Sequence, residues 1–180
     1  MTSRRFFRMT RWDRESDGRS AKVYWQVQNG GVHMPRADRL SQGGVKLLQE
    51  KQLAIIATVM ADGSPHTTPV WVDVEPDGSH ILINTVTSHL KMINVSRDPR
   101  VAVTVVDSQN PWRCVVIRGR VVEKRGADQG ATEHIHTLAR KYLGRDQYPL
   151  REGEARVILR IKPTHVVERG TDGQRPSRWS

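Results

Sequence analysis

Hydroxyl and basic side chains cluster in the segment from Thr85 to Lys91. Within it, Ser88-His89-Leu90-Lys91 ends a strand-like stretch and opens a helical one. A helix N-terminus offers unpaired backbone N–H groups and the positive end of a dipole. With Ser88 as N-cap and Lys91 in the first turn, the pattern predicts a phosphate site. On spacing alone, a plain helix cap with Lys91 in solvent is the commoner arrangement.

A hairpin would bring two more hydroxyls to the same place. Residues 75–79 contain Pro-Asp-Gly, a strong turn signal between two β-branched stretches. With a tight register, Thr67 falls opposite Thr87 and Thr68 opposite Val86. We therefore expect both threonines to border the start of the helix.

Other site chemistries are not indicated. The chain has no G-x-G-x-x-G segment and no P-loop, which argues against the usual nucleotide cradles. Its seven histidines are scattered or face apart, so no metal site is expected. Ser88 and Cys114 lie outside any nucleophile elbow, and structural roles are favoured for both. No catalytic acid–base pair stands out.

Composition limits the class of protein. The 180 residues suit one domain, and the net charge is +10. Because the first 33 residues alone carry +4, the rest is only moderately basic and nucleic acid is not an expected partner. A single cysteine excludes an internal disulfide, and no long apolar run predicts a membrane span. We expect a cytoplasmic protein.

The chain divides into three parts. Residues 1–33 are polar and arginine-rich without a sustained period, which predicts a poorly ordered basic tail. Met34, followed by Pro35 and a helix-like stretch, is an alternative start of the protein. Residues 34–168 should form the folded domain. Residues 169–180 should form a flexible C-terminal tail.

Most of the folded part has the pattern of antiparallel strands. Turn signals separate β-branched runs, which predict six strands at 53–60, 66–74, 80–87, 100–106, 113–124 and 155–162, with a short seventh at 165–167. The first three should form a meander. Helices are expected near 35–51, at 88–97 and at 128–143, the last closed by Gly144. This combination predicts a mainly β fold, a split barrel with flanking helices.

The order of these pieces resembles a known family. The most specific segments are ATV-ADG-PH-TPVW from Ala57, NT-----K--N---DPRV from Asn84, NPW----IRG-V from Asn110, and LARKYLG from Leu138. Residues 45–167 resemble the pyridoxamine 5′-phosphate oxidase-like split barrels, and in particular the branch that depends on coenzyme F420.

That resemblance implies a homodimeric oxidoreductase with a flavin or deazaflavin in each interface groove and a small-molecule acceptor over the ring. Trp112 would reach in from the partner subunit. The implied cofactor-binding residues are Thr67, Thr68, Pro69, Trp71, Thr85, Ser88, His89, Lys91, Asn94 and Trp112.

Two positions depart from the family pattern. Relatives usually carry arginine where this chain has His89, and often tyrosine where it has Cys114. The first change replaces a permanent charge with one that depends on pH. Besides F420, the sequence therefore leaves open FMN with flavin oxidase or reductase activity, and a non-catalytic carrier of flavin, deazaflavin or haem. No sequence motif indicates which acceptor substrate the protein would use.

Overall fold

The computed structural model describes residues 36–171, so the predicted basic tail and residues 172–180 lie outside the described part. The elements are α1 (Gln42–Gln49), β1 (Ala54–Val59), β2 (Pro65–Val70), β3 (Asp73–Val74), β4 (Ile81–Val86), α2 (Leu90–Arg97), β5 (Arg100–Val106), β6 (Cys114–Arg125), α3 (Ala131–Leu143) and β7 (Arg156–Arg169). A single 3-10 turn, Ala127–Gln129, precedes α3. Among the described residues, no helix is long and apolar enough to cross a membrane.

All seven strands belong to one antiparallel sheet in the order β2-β1-β5-β6-β7-β4-β3. The edge strands β2 and β3 are consecutive in the chain and separated only by Trp71 and Val72. Two residues span less than about 12 Å, so the sheet must curl until its edges meet. The prediction of a mainly β split barrel with flanking helices is confirmed.

The predicted strand 66–74 is wrong, because it breaks at Trp71–Val72. The Tyr142 hydroxyl accepts from the backbone N–H of Val72 (3.2 Å), and the Lys141 ammonium donates to the Val72 carbonyl (2.8 Å). Side chains of α3 thus satisfy the backbone groups that a continuous strand would pair with a neighbour. The chain then crosses from one edge of the sheet to the other.

The hairpin register that follows from the unbroken strand is also wrong. Thr67 and Thr68 pair with Ala57 and Ile56 of β1, and not with β4. Only Asp73 and Val74 pair with β4, with Val74 opposite Ile81. The expected meander of the first three strands is therefore limited to β1 and β2, and β4 pairs mainly with β7.

Strand β7 is one long element, whereas the sequence pattern predicted a strand at 155–162 and a separate one at 165–167. It continues through Pro163 because β6 is irregular opposite that residue, with a register shift between Arg118 and Gly119. A Cβ on Gly119 would lie 2.6 Å from the carbonyl oxygen of Lys162. The strand ends at Arg169. The predicted flexible tail at residues 169–180 lies mostly outside the described residues and stays a prediction.

The core fills the inside of the curled sheet. Inward valines and isoleucines of β1, β4, β5, β6 and β7 pack with Leu47 and Leu48 of α1 and Val95 of α2. A second, smaller cluster joins Ile135, Leu138 and Tyr142 of α3 to Trp71. The helix ends at Gly144, which adopts φ 66°, as the sequence predicted.

Candidate functional site

A cavity of about 240 Å³ lies where the end of β2 approaches β4 and α2. It is bounded on its other sides by α3 and by the connection between α3 and β7. Its lining residues are Leu53, Pro69, Val70, Trp71, Asn84, Thr85, His89, Lys91, Ile135, Tyr148 and Arg156. Residues 69–71 and 84–85 thus converge, although their strands do not pair.

One wall of the cavity is cationic. Lys91 is only 8% exposed, and its Nζ lies 3.5 Å from Nδ1 of His89. Burial lowers the pKa of Lys91. Among residues 36–171, no carboxylate forms an ion pair with this ammonium group. A buried lysine without a counter-ion favours an anion in the cavity.

His89 stands at the rim of this wall. Partial desolvation lowers its pKa, and the charges of Lys91 and Arg156 lower it further. Its Nδ1 lies 3.2 Å from Oγ1 of Thr85. With Nδ1 facing the ammonium group of Lys91, the neutral ring carries its proton on Nε2, which leaves that nitrogen as a donor.

Helix α2 directs its N-terminus to the same place. It begins at Leu90 with His89 as N-cap, so the prediction that Ser88 caps the helix is wrong. The His89 side chain makes no capping hydrogen bond, and the first turn contains no acidic residue. The first backbone N–H groups of α2 are therefore left for solvent or a ligand.

Another wall is aromatic. Trp71 stacks on Tyr142 with ring centroids 5.0 Å apart and the planes inclined by 3°. Tyr148 meets Trp71 edge-on at 5.8 Å. The Tyr142 hydroxyl is fixed by its donation to the Gln52 carbonyl. This wall offers a rigid, flat surface to a ring-containing ligand.

Asn84 provides a polar group on the floor of the cavity. Its Nδ2 donates to the Ala131 carbonyl (2.7 Å), which fixes the orientation of the amide. Its Oδ1 is buried and has no hydrogen-bond partner among the described residues. A bound hydroxyl or N–H group would satisfy this acceptor.

The structure brings only half of the predicted cofactor-binding residues together in the cavity. Five of them line the cavity together, namely Pro69, Trp71, Thr85, His89 and Lys91. Thr67 and Thr68 lie further along the edge strand β2, and Ser88 is exposed just outside the cavity. Asn94 donates to Oγ1 of Thr58 (3.0 Å) and so ties α2 to β1. Trp112 is 47% exposed in the β5–β6 connection.

Sequence reasoning missed Asn84, Tyr148 and Arg156. Asn84 lies directly before Thr85 in the segment beginning Asn-Thr, so its position was a usable signal. Tyr148 and Arg156 follow α3 by a long connection with no motif. Only the pairing of Val86 with Arg156 brings this part of the chain to the cavity.

A wider groove of about 1150 Å³ crosses the outer face of the sheet. Arg118 and Arg120 lie in it, and both are exposed. Solvated arginines need no counter-ion, whereas buried cations do. The smaller cavity is therefore the stronger candidate.

The cavity can hold an anion next to a flat group, but its side chains do not form a catalytic pair. No cluster of metal-ligating side chains occurs within residues 36–171. The second buried cation in the described part of the chain is Arg156, and it is paired with Glu154. The arrangement suits a bound, phosphorylated cofactor that supplies the chemistry itself.

Comparisons with known proteins identify the family of the chain. Residues 44–170 match the family described as pyridoxamine 5′-phosphate oxidase. An F420-dependent biliverdin reductase of Mycobacterium tuberculosis is 25% identical over 129 residues, which are 72% of this chain and 88% of that protein.

Solved structures with a similar fold were also found. A structure titled F420 reductase has a TM-score of 0.62 and 26% identity, covering 71% of this chain and 98% of that one. General Stress Protein 26 of Bacillus anthracis, at 14% identity and a TM-score of 0.51, shares the fold over 70% of this chain and 95% of that one. Because the family match covers well over half of the chain, the protein belongs to the pyridoxamine 5′-phosphate oxidase family.

Proposed function

We propose that the protein is an oxidoreductase that binds coenzyme F420 and transfers a hydride between the reduced deazaflavin and a small organic acceptor. The observation that carries this proposal is the buried, carboxylate-free Lys91 at the N-terminus of α2, next to a flat aromatic wall. The F420-dependent relatives support the choice of cofactor.

The residues present fit a phosphorylated cofactor. Lys91, the N–H groups that open α2 and Nε2 of His89 would hold the phosphate. The unsatisfied Oδ1 of Asn84 would accept from a hydroxyl of the chain that joins phosphate to ring. The phosphate would neutralise the buried charge of Lys91, and the hydroxyl would satisfy the buried Oδ1 of Asn84.

Bound reduced F420 supplies the hydride, so the chain needs to bind, orient and shield. Strand β2 is an edge strand, and alternate backbone N–H groups near Thr67 and Thr68 lack a neighbouring strand. These groups can orient the polar edge of a ring system. Pro69 and Trp71, at the end of the same strand, line the cavity and provide apolar contact.

A second subunit would complete the site. A cavity of about 240 Å³ is small for a whole deazaflavin cofactor. Next to it, the outer face exposes Leu53 (56%), Ile55 (43%) and Val106 (44%). Ile55 lies directly opposite Pro69, a lining residue. We infer that a partner covers this apolar face and brings Trp112 to the ring.

FMN is the second candidate cofactor, because Lys91 and the α2 N-terminus would receive its phosphate equally well. The test is a side-by-side fluorescence titration of the purified protein with F420 and FMN. Tighter binding of F420 is expected, with reduced F420 consumed when an acceptor panel that includes biliverdin is added. Preference for FMN would overturn the cofactor choice, and binding without turnover would support a carrier. Binding of neither would refute the proposed function.

A further inference from the structure

Arg156 occupies an unusual position for an arginine. It is the first residue of β7, it lines the cavity, and it is only 9% exposed. Its guanidinium carbon lies 4.4 Å from the ring centroid of Tyr148, and one terminal nitrogen pairs with Glu154. Its Nε is buried and has no hydrogen-bond partner among the described residues. A donor of this charged group is therefore unused.

The charges around the cavity do not balance. Lys91, His89 and Arg156 all line it, whereas no carboxylate does. Glu154 pairs with Arg156 and accepts from the backbone N–H of Arg151 (3.4 Å), and Lys91 has no acidic partner within residues 36–171. Taking cations out of water without matching anions is costly, and a bound anion would offset that cost.

The three basic side chains are not equally suited to a phosphate contact. Desolvation lowers the pKa of Lys91, and partial desolvation with nearby charge lowers that of His89. A guanidinium group keeps its proton at every physiological pH and presents donors in a planar fork that matches phosphate oxygens. Of the three, Arg156 is the one built for a directional contact to a phosphate.

We propose that Arg156 is a phosphate-binding residue of this site, which Glu154 holds in place by an ion pair until the anion arrives. This inference rests on the proposed function for the identity of the cofactor, but not for the phosphate contact itself. It gives the α3–β7 connection a part in ligand selection, since Tyr148 and Glu154 of that connection position the guanidinium group. A merely structural Arg156 would make the same contacts with Tyr148 and Glu154, so the experiment must separate the two roles.

The experiment compares ligands that differ only by phosphate. FMN and riboflavin are titrated by flavin fluorescence against the full-length wild type, Arg156→Gln, Glu154→Gln and the control Arg145→Gln, an exposed arginine of the same connection. For Arg156→Gln we expect about a 10- to 100-fold loss of FMN affinity, as for one charge-assisted contact, and less than about a 3-fold change for riboflavin. Glu154→Gln should strengthen FMN binding, because it removes the competing carboxylate. Arg145→Gln should change neither affinity.

A second measurement uses the wild type and needs neither cofactor. The ¹H–¹⁵N signal of the Arg156 Nε group, identified by its loss in Arg156→Lys, should shift on titration with inorganic phosphate and stay in place with chloride at equal ionic strength. Parallel losses of FMN and riboflavin affinity, or an unmoved Nε signal, would overturn the inference. If the wild type binds neither FMN nor F420 while phosphate still shifts the signal, the proposed function fails and the phosphate contact stands.

Discussion

Replacing Lys91 with methionine should move two properties in opposite directions. In the free protein Lys91 is buried without a carboxylate partner among the described residues, and burial lowers its pKa. Methionine keeps most of the length and volume of lysine but has no charge to desolvate. Lys91→Met should therefore stabilise the free protein while it weakens binding of a phosphorylated cofactor.

Both magnitudes follow from the surroundings of Lys91. A buried polar group left without a partner costs about 1–3 kcal/mol. Because Nζ still reaches His89 at 3.5 Å, the lower end applies, and about 1 kcal/mol raises the melting temperature of a domain of this size by about 2–4 °C. A lost charge-assisted contact of about 1.5–3 kcal/mol corresponds to about a 10- to 150-fold weaker affinity.

The assay combines thermal unfolding of the cofactor-free protein with titrations of F420 and FMN. Lys46→Met is the matched control, because Lys46 is an exposed lysine on α1, another eight-residue helix. It should change neither property. A lower melting temperature for Lys91→Met would show that the ammonium group stabilises the fold. Unchanged affinity for both cofactors would remove Lys91 from the phosphate site.

Three other predictions concern pH and chain length. The pKa of His89 is lowered in the free protein, and a bound phosphodiester favours the imidazolium form, so F420 affinity should rise as pH falls through the pKa of His89 in the complex. His89→Arg should flatten this dependence, and parallel curves would contradict a phosphate contact. The Arg160 hydrogen bond lowers the pKa of Glu75 to about 2 from 4.5, so its stabilisation is present above pH 4.5 and lost as pH falls towards 2. Thermal unfolding should show a smaller loss on acidification for Glu75→Gln than for wild type, and equal losses would refute this. A chain beginning at Met34 should keep its fold and its cofactor affinity, measured by circular dichroism and titration, and unfolding on truncation would show that residues 1–33 pack on the barrel.

Local sequence pattern was sufficient for most strands but not for their pairing. The run at Arg100–Val106 is rich in β-branched residues and forms β5 with the predicted bounds. The break after Val70 could not be predicted, because the groups that satisfy Val72 come from Tyr142 and Lys141, about seventy residues later. Strand propensity around Trp71 is high, and tertiary hydrogen bonds override it.

The site shows the same division between local and distant information. His89 and Lys91 are two residues apart at the start of a helix, so their spacing in the sequence was enough to predict that they lie close together. The sequence pattern placed Asn94 in the same predicted phosphate segment, but its amide donates a hydrogen bond to Thr58. Arg156 lies more than sixty residues from Lys91 and reaches the cavity only through the pairing of β7 with β4. No local pattern encodes that contact.

The closure of the barrel and the formation of the cavity have one physical cause. The edge strands β2 and β3 do not form a two-residue hairpin, because Tyr142 and Lys141 take the backbone groups of Val72 and the chain crosses the seam between these two edges instead of turning back. Tyr142 stabilises the crossing by hydrogen bonds to Val72 and Gln52, and its ring stacks on Trp71. The seam therefore stays open beyond Trp71, where β4 and α2 supply polar groups to the gap. A substitution that restored regular pairing at Val72 would close the site along with the seam.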